Sequence, residues 1–284
     1  MSKIKYLVGF ALLLVMVSLT ISACRNVRIK EHQEWKAYFE KNDIQDACFE
    51  IYDNNKEIAS YFNKARCAER MTPGAVFDIF NALTALSSNV ALDEQFKLGI
   101  TDSMTGMTDS LTLVQAFKQE NSAYFEQLAT LIDSQKMQFS LDTIQFGNRQ
   151  MGGAPGRFYK NGHLKITADE MVGFMKRVYH GELPAFDQRS IRLVQGMLLK
   201  ETGTDEKLYY RYADVPQNDS TLHWLVGYME HTEVLKNPKT GKDDYIPHPY
   251  FFAMNFTTAK SDKDWQPVSL QIVKDILKGS HTND

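Results

Sequence analysis

The sequence predicts an α+β fold, in which strand-forming segments at both ends of the chain enclose a long helical middle. The first observation is an alternating, half-buried pattern at residues 48–53, followed by a turn and a second strand at residues 57–62. The second is a series of amphipathic helices between residues 75 and 200. The third is a return to strand-forming segments at residues 208–212, 222–230 and 250–256, before a closing helix at 267–277.

Composition limits the classes of protein to which the chain can belong. With 284 residues, 43% of them hydrophobic, it can bury a large core in one domain or in two closely packed lobes. Its net charge of −3 and pI near 6.2 give no indication of a nucleic-acid partner. The seven histidines show neither His-x-His nor His-Glu-x-x-His spacing, and Gly152, Gly153 and Gly156 lack the Lys-Ser/Thr of a phosphate-binding loop. We therefore expect no metal and no cofactor.

The N-terminal segment has the pattern of an export signal. Lys3 and Lys5 precede an apolar run at residues 6–21 that is short for a membrane span. The run ends in Ile-Ser-Ala-Cys, which resembles the lipobox of bacterial lipoproteins and implies cleavage after Ala23 and lipidation of Cys24. The alternatives are a leader with an incidental cysteine, or an uncleaved anchor. We expect a signal peptide at 1–23, a tether at 24–34, and a protein held by lipid at the periplasmic or cell-surface face of a bacterial membrane.

Cys48 and Cys67 are the only cysteines after Cys24. In an oxidising compartment such a pair is expected to form a disulfide. The closed loop of about 20 residues would contribute roughly 3 kcal/mol to stability in the chain-entropy model. The alternative is two buried free thiols.

The helices are predicted from apolar positions that repeat at helical spacing. Residues 25–45 begin as a helix whose Trp35, Tyr38 and Phe39 share a face. Residues 111–134 form a helical segment, and Thr167 caps another helix, which is followed by a helix at 190–200. The most apolar helix begins at Ala75, after Thr72 as N-cap and Pro73 in the first turn. Its buried face consists of Val76, Phe77, Phe80, Leu83 and Leu86.

This central stretch resembles the active-site helix of the class D (serine) β-lactamases and their penicillin-binding relatives, which carry Pro-Ala-Ser-Thr-Phe-Lys-Ile-x-Asn-x-Leu-x-Ala-Leu. The positions that match are Pro73, Phe77, Ile79, Asn81, Leu83, Ala85 and Leu86. The resemblance covers roughly residues 35–277, which leaves 278–284 as a tail. It implies an antiparallel sheet flanked by helices, with a mostly helical second lobe.

The resemblance places the catalytic positions of the family on residues that lack their chemistry. The nucleophilic serine falls on Ala75, and the general-base lysine falls on Asp78. Arg211-Tyr212-Ala213 stands for Lys-Thr-Gly, so that Arg211 keeps a cation and Asp214 follows it. A literal Lys-Thr-Gly at 239–241 is predicted to lie in a loop between the last two strands. The ligand cleft implied by these matches consists of Ala75, Asp78, Ser122, Asn148, Tyr159, Arg211, Tyr212 and Asp214.

Asp78 has two interpretations. It is either a repurposed acid or base, or a buried carboxylate whose partner is Tyr159, Ser122 or Arg211, and we favour the second. Ser122, which matches the serine of the family's Ser-x-Val element, is the remaining candidate nucleophile. We expect no lysine or histidine beside it.

Three functions remain open. The first is a catalytically inactive relative whose cleft binds a peptidoglycan fragment, a β-lactam-like ligand or an envelope protein. The second is an active β-lactam hydrolase or peptidoglycan peptidase that uses Ser122. The third is a structural envelope protein whose cleft is filled. We favour the first, because both catalytic positions are lost while polar groups are retained around the cleft.

Overall fold

The computed structural model describes residues 27–101, 108–154 and 156–281. The predicted signal peptide (1–23) and Cys24 lie outside the described residues, as do positions 282–284 of the expected tail. Within the described part of the chain, no helix is long and apolar enough to cross a membrane.

The strands form one large sheet and one small hairpin. They are β1 (Arg28–Glu31), β2 (Asp46–Asp53), β3 (Ile58–Phe62), β4 (Lys97–Thr101), β5 (Thr108–Thr112), β6 (Leu199–Thr202), β7 (Glu206–Pro216), β8 (Ser220–Lys236) and β9 (Asp243–Ala259). The large sheet has seven strands in the order β1-β3-β2-β9-β8-β7-β6, and β4 pairs with β5. All neighbours are antiparallel except β1 and β3, which run parallel.

Helices cover both faces of this sheet. They are α1 (Lys36–Glu40), α2 (Lys64–Cys67), α3 (Asp78–Ser87), α4 (Leu113–Lys118), α5 (Ser122–Leu131), α6 (Ser134–Ile144), α7 (Ala168–His180), α8 (Gln188–Leu198) and α9 (Gln266–His281). One core contains α3 to α8 and one face of the sheet, and a smaller core packs α1 and α9 on the other face. The predicted α+β fold, with a mostly helical lobe beside an antiparallel sheet, is confirmed.

The central helix begins differently from the prediction. A 3₁₀ turn at Gly74–Phe77 precedes α3, and no side chain caps it. Gly74 has a positive φ of 56°, and a Cβ there would lie 2.5 Å from Cγ2 of Val215 on β7. The predicted cap Thr72 instead accepts a hydrogen bond through its carbonyl from Trp224 Nε1, at 3.0 Å. The close approach to the sheet therefore sets the conformation of this turn.

Three further segments differ from the sequence prediction. Residues 28–31, expected in the tether, pair with β3 as an edge strand. The single helical segment at 111–134 is broken at Glu120, which has a φ of 56°, and Asn121 then caps α5 by accepting from Tyr124 N at 2.8 Å. Helix α6 was not predicted.

Strands β8 and β9 extend beyond the sheet as a two-stranded hairpin. Each has 17 residues, whereas β7 pairs with β8 only as far as His231. Lys239-Thr240-Gly241 lies between the two strands, so its prediction as a loop is confirmed. The sequence analysis missed the outer part of this hairpin, because its residues are mostly exposed and lack the apolar pattern of a core strand.

Cys48 on β2 and Cys67 on α2 are two free, fully buried thiols, and the predicted disulfide is absent from the structure. A hydrogen bond with Cys48 and burial raise the pKa of the Cys67 thiol. The disulfide was inferred from the compartment alone, whereas neither thiol is accessible to an oxidant from outside the core. The structure corresponds to the alternative of two buried thiols.

Candidate functional site

A cavity of about 500 Å³ lies between the 3₁₀ turn, the start of α5 and the end of β7. It is lined by Gly74, Ala75, Glu120, Ser122, Lys160, Tyr212, Ala213, Asp214, Val215, Pro216, Asp264 and Gln266. The cavity therefore occupies the place that the resemblance gives to the ligand cleft. We call it the cleft.

Ala75 is held on the wall of the cleft by backbone contacts on both sides. Gly74 N donates to the carbonyl of Tyr159 at 3.0 Å, and the Ala75 carbonyl accepts from Arg211 Nε at 3.2 Å. The side chain that this turn presents is a methyl group, which offers neither a nucleophile nor a proton donor.

Asp78 and Arg211 form a buried ion pair beneath this turn. Arg211 Nη2 donates to Asp78 Oδ2 at 2.5 Å, and both side chains are fully buried. Arg211 Nη1 donates to the carbonyl of Phe117, and the guanidinium lies over the rings of Phe117 and Phe125 at 4.8 and 5.5 Å. All three nitrogens of Arg211 are thus used inside the core.

The position of Arg211 corrects the expectation that a cation is kept in the cleft. Side chains alternate along a strand, and Arg211 shares a face of β7 with Ala213 and Val215, which pack in the larger core. Of the three partners proposed for Asp78, the structure selects Arg211. Burial raises the pKa of Asp78 to about 6, although Arg211 lowers it. The carboxylate is therefore a charged partner at neutral pH.

A second polar cluster surrounds Ser122, at the first turn of α5. Lys160 Nζ donates to Ser122 Oγ, and also to Glu126 Oε1 at 2.7 Å. Arg157 Nε donates to the other carboxylate oxygen of Glu126 at 2.9 Å. Burial raises the pKa of Glu126, but the contacts with Lys160 and Arg157 lower it below its usual value. The lysine that we did not expect beside Ser122 is therefore present, paired with a carboxylate.

The far wall of the cleft carries an aspartate with an imidazole partner. Asp214 Oδ1 accepts from the Tyr212 hydroxyl and lies 2.6 Å from His223 Nδ1. His223 Nε2 lies 2.8 Å from Thr258 Oγ1, and its ring stacks on Phe256. Burial raises the pKa of Asp214, whereas the hydrogen bonds from His223 and Tyr212 lower it below its usual value. Asp214 is therefore an anion at neutral pH, with its side chain 51% exposed.

The structure brings together four of the eight residues that the sequence assigned to the cleft, namely Ala75, Ser122, Tyr212 and Asp214. Asp78, Tyr159 and Arg211 are fully buried and do not line it. Asn148 also lies elsewhere, because its side chain donates to the His163 carbonyl at 2.8 Å and accepts from Lys165 N at 2.9 Å. These four are corrections, because none of them is among the residues that line the cleft.

Four polar residues of the cleft were missed by the sequence analysis: Glu120, Lys160, Asp264 and Gln266. They come from the break before α5, the segment before α7 and the start of α9. No short motif joins positions so far apart, and the family pattern that we used does not contain them. Only the packing of these segments against β7 assembles them.

Comparisons with known proteins agree with this geometry. Residues 46–186 match the family model described as penicillin binding protein transpeptidase domain. The chain is 26% identical over 252 residues to β-lactamase OXA-48 of Klebsiella pneumoniae, covering 88% of each.

Solved structures show the same fold. A class D β-lactamase from Sebaldella termitidis has a TM-score of 0.79 and 20% identity, covering 91% of this chain and 100% of that one. The C-terminal domain of the Bacillus licheniformis BlaR penicillin-receptor has a TM-score of 0.78 and 19% identity, covering 90% of this chain and 97% of that one. The chain belongs to the family of penicillin-binding transpeptidase domains and class D β-lactamases.

Proposed function

We propose that this protein is an exported lipoprotein whose class D β-lactamase-like domain binds a ligand in the cleft without the serine chemistry of the family. The proposal rests on the residues that occupy the two catalytic positions of the family. Ala75 presents a methyl group where the family has its nucleophile. Asp78, where the family has its base, is bound to Arg211 inside the core.

Both losses act on the same chemical step. Acylation requires an oxygen or sulfur nucleophile and a neighbouring group that takes its proton. Nucleophile and base work as a unit, so that losing both leaves only the rate that binding and backbone amides supply. The Asp78 carboxylate is also fully buried and bound to Arg211, so that it does not face the cleft in which a proton would have to be taken up.

The cleft itself supports binding over a purely structural role. A filled cleft would have no cavity beside Ala75, whereas a volume of about 500 Å³ is present and lined by polar side chains. Pockets of this size and above accommodate small ligands. A peptidoglycan fragment, a β-lactam-like molecule and a segment of an envelope protein are the candidate occupants. Among the solved structures with this fold is one described as the C-terminal domain of a penicillin-receptor.

The test separates covalent chemistry from reversible binding. The mature protein is incubated with a fluorescent penicillin and with a chromogenic cephalosporin, and we expect neither a labelled band on a denaturing gel nor turnover. Reversible binding of peptidoglycan fragments is then followed by calorimetry. Ala75→Phe, which fills the cleft, should abolish it, whereas Ala37→Phe on the exposed face of α1 should not. Equal binding by both variants would place the ligand outside the cleft.

A second candidate function, a β-lactam hydrolase or peptidoglycan peptidase that uses Ser122, is favoured by one contact. Lys160 lies against Ser122, so that a serine and a lysine meet on the wall of the cleft. Such a pair can act as nucleophile and base when the lysine is neutral. Here Glu126 accepts from the same ammonium at 2.7 Å, so that Lys160 lies between a carboxylate and the serine hydroxyl, to which it donates.

The same gel distinguishes the two functions. A covalent band on the unmutated protein that disappears in both Ser122→Ala and Lys160→Met would establish Ser122 as the nucleophile. Ser220→Ala, at the first residue of β8 and outside the cleft, serves as the matched control. A band that survives Ser122→Ala would exclude this serine.

A further inference from the structure

Exposed apolar side chains are concentrated in two segments of the protein. Of the nine large apolar side chains that are exposed in the described part of the chain, six lie either at β1 or on the outer part of the β8–β9 hairpin. A single exposed apolar residue is normal, whereas a group of them marks an interaction surface. We call residues 234–246 the hairpin tip. The six side chains are Val27, Ile29, Val234, Leu235, Tyr245 and Ile246.

The strand register brings both segments to the same end of the large sheet. The chain before β1 and the outer part of the hairpin therefore leave the sheet at the same end. β1 and β9 are three strands apart, so that roughly 14 Å separates them across the sheet. The residues aligned across five strands, from β1 to β8, are Arg28, Ile58, Asp53, Tyr250 and Met229.

The hairpin is longer than the link to the proposed lipid anchor. Seven residues of β8 lie beyond Met229, which is aligned with Arg28, and at about 3.3 Å per residue they extend about 23 Å. The four steps from Cys24 to Arg28 span at most about 14 Å. A lipid on Cys24 would therefore hold this end of the sheet closer to the bilayer than the hairpin is long, which puts the bilayer within reach of the hairpin tip.

The base of the hairpin is fixed to the rest of the sheet. His248 Nε2 lies 2.6 Å from Asp53 Oδ1 on β2, and His248 Nδ1 contacts Glu233 on β8. Asn55, in the turn after β2, donates through Nδ2 to the carbonyl of Pro247 at 3.2 Å. Beyond this base, residues 234–236 and 238–247 are exposed. The hairpin therefore continues the sheet and does not fold back over its own domain.

The hairpin tip is apolar on both of its faces. Val234 and Tyr245 are directly opposite each other in the register and share one face. Leu235 and Ile246, each one residue further along its strand, point to the other face. A protein docked on one face of the hairpin would cover only one of these two pairs. A tip that enters a bilayer buries both pairs, which favours lipid as the occupant.

The charge of the hairpin tip also favours a lipid surface. Its three lysines are exposed, and with its two aspartates they give it a net charge of +1, whereas the whole chain carries −3. Lysine stems cover apolar surface while their ammonium groups lie among lipid phosphates, and tyrosine suits the same depth. Shallow insertion into anionic membranes is typical of such a composition. The charged residues are Lys236, Lys239, Lys242, Asp243 and Asp244.

We propose that the hairpin tip inserts into the headgroup region of the membrane that holds the lipid anchor, as a second point of attachment. This inference rests on the proposed function, since the lipid on Cys24 determines which end of the sheet faces the bilayer. The insertion also orients the cleft. Asp214 and Pro216 lie at the opposite end of β7 from Glu206, which pairs with His231 at the base of the hairpin. The cleft therefore faces away from the membrane.

The first test compares two positions of similar exposure in the lipidated protein. Tyr245→Cys on the hairpin tip and Phe139→Cys on α6 replace side chains that are 69% and 65% exposed, while Cys48 and Cys67 are buried. Each variant is labelled with a nitrobenzoxadiazole dye and reconstituted into vesicles of phosphatidylethanolamine and phosphatidylglycerol. The emission at position 245 should rise severalfold, shift to the blue and be quenched by lipids with a spin-labelled headgroup. An equal response at position 139 would overturn the inference.

The second test removes the anchor. The mature chain, produced without its leader and therefore without lipid, is sedimented with the same vesicles and with neutral phosphatidylcholine vesicles. We expect it to bind, more weakly to the neutral lipid. Leu235→Ser with Tyr245→Ser should weaken binding about tenfold or more, because two apolar side chains no longer enter the interface. Leu131→Ser with Phe139→Ser, at exposed positions outside the hairpin, should not.

The remaining outcomes separate this inference from its rivals and from the proposed function. No binding of the unlipidated chain, or equal losses in both double variants, would overturn the inference. So would a dimer in analytical ultracentrifugation without vesicles that Tyr245→Ser dissociates, because the tip would then bind a second copy of the chain. A lipidated protein without a response at position 245 would overturn the inference and leave the proposed function intact. A chain without lipid on Cys24 would remove the anchor from the proposed function, whereas its binding to vesicles would still support the hairpin tip.

Discussion

At the scale of single residues, position 78 carries a carboxylate where the family has a lysine. The buried cation at position 211 balances that negative charge. Asp78 and Arg211 are both fully buried and bonded to each other, so that each is the other's counter-charge. Removing one member of such a pair leaves an uncompensated charge in the core, whereas replacing both by apolar side chains avoids the desolvation penalty. The effects of substitutions at the two positions on the free energy of unfolding are therefore expected to be coupled.

We predict that Asp78→Asn lowers the free energy of unfolding by about 3–5 kcal/mol, because Arg211 remains charged and unpaired. Asp78→Leu combined with Arg211→Met should restore most of the loss. Urea denaturation at neutral pH measures both. The control is Glu201→Gln, which breaks the exposed pair with Lys274 and should cost less than about 1 kcal/mol. A similar cost for Asp78→Asn and Glu201→Gln would show that the buried pair contributes little.

The same pair limits any attempt to restore the family's catalytic residues. In Ala75→Ser with Asp78→Lys, the new lysine would face the buried guanidinium of Arg211 at the position where the carboxylate now lies. Like charges in the core are strongly unfavourable. We expect this double variant to be unstable and unlabelled by fluorescent penicillin.

Adding Arg211→Met should give a folded triple variant that acylates slowly. Circular dichroism and a denaturing gel follow folding and labelling together. Labelling of the double variant at the rate of the triple would show that Arg211 does not oppose the lysine.

At the scale of secondary structure elements, a second buried acid cluster joins β2 to the first turn of α7. Glu50 on β2 is 4% exposed, with Asp169 of α7 and Tyr61 of β3 beside it. Burial, together with Asp169, raises the pKa of Glu50 to about 10. Its folded-state pKa thus exceeds the ordinary value of 4.5 that applies in the unfolded chain. Its contribution to stability is complete below pH 4.5 and is lost as the pH rises toward 10.

We predict that Glu50→Gln stabilises the protein above neutral pH, since the amide keeps the shape of the carboxyl without its ionisation. The melting temperature should rise by a few degrees at pH 8 and change little at pH 4, because a change of about 1 kcal/mol corresponds to about 2–4 °C in a domain of this size. Melting curves across this pH range measure the effect. Glu57→Gln in the adjoining turn is the control. An unchanged pH profile in Glu50→Gln would show that this carboxyl ionises normally.

At the scale of the whole molecule, the position of β1 shortens the link to the proposed lipid anchor. Because Arg28 already pairs in the sheet, only three residues separate it from Cys24. At about 3.3–3.6 Å per residue, the four steps from Cys24 to Arg28 span at most about 14 Å. A domain tethered so closely would stay at the membrane surface, and β1 would be the edge of the sheet nearest to it.

We predict that Cys24 is lipidated after cleavage behind Ala23. Cells are labelled with a clickable fatty acid, and the wild type should incorporate it while Cys24→Ala should not. The variant should also leave the membrane fraction after lysis. Cys48→Ala is the control, since that thiol is buried in the fold. Equal labelling of wild type and Cys24→Ala would remove the anchor from the proposed function.

The sequence by itself determined the α+β fold, the position of the central helix and the hairpin of β2 and β3. These depend on apolar periodicity, turn residues and a family pattern, all of which are local in the chain. It also showed that Ala75 and Asp78 stand where the family has its nucleophilic serine and its general-base lysine, and that neither residue can replace them. Asp78 was correctly interpreted as a buried carboxylate, because a charge on so apolar a helix needs a partner.

Only the tertiary structure decided which charges face the cleft. Arg211 was expected there and lies in the core, whereas Glu120, Lys160 and Asp264 were not expected and line the cavity. Whether a charged side chain on a strand or loop points to solvent or to a partner depends on what packs against it. For Arg211 that neighbour is Asp78, 133 residues away in the chain, and for Ser122 it is Lys160, 38 residues away. Such pairings follow from long-range packing, which no local pattern of residue types specifies.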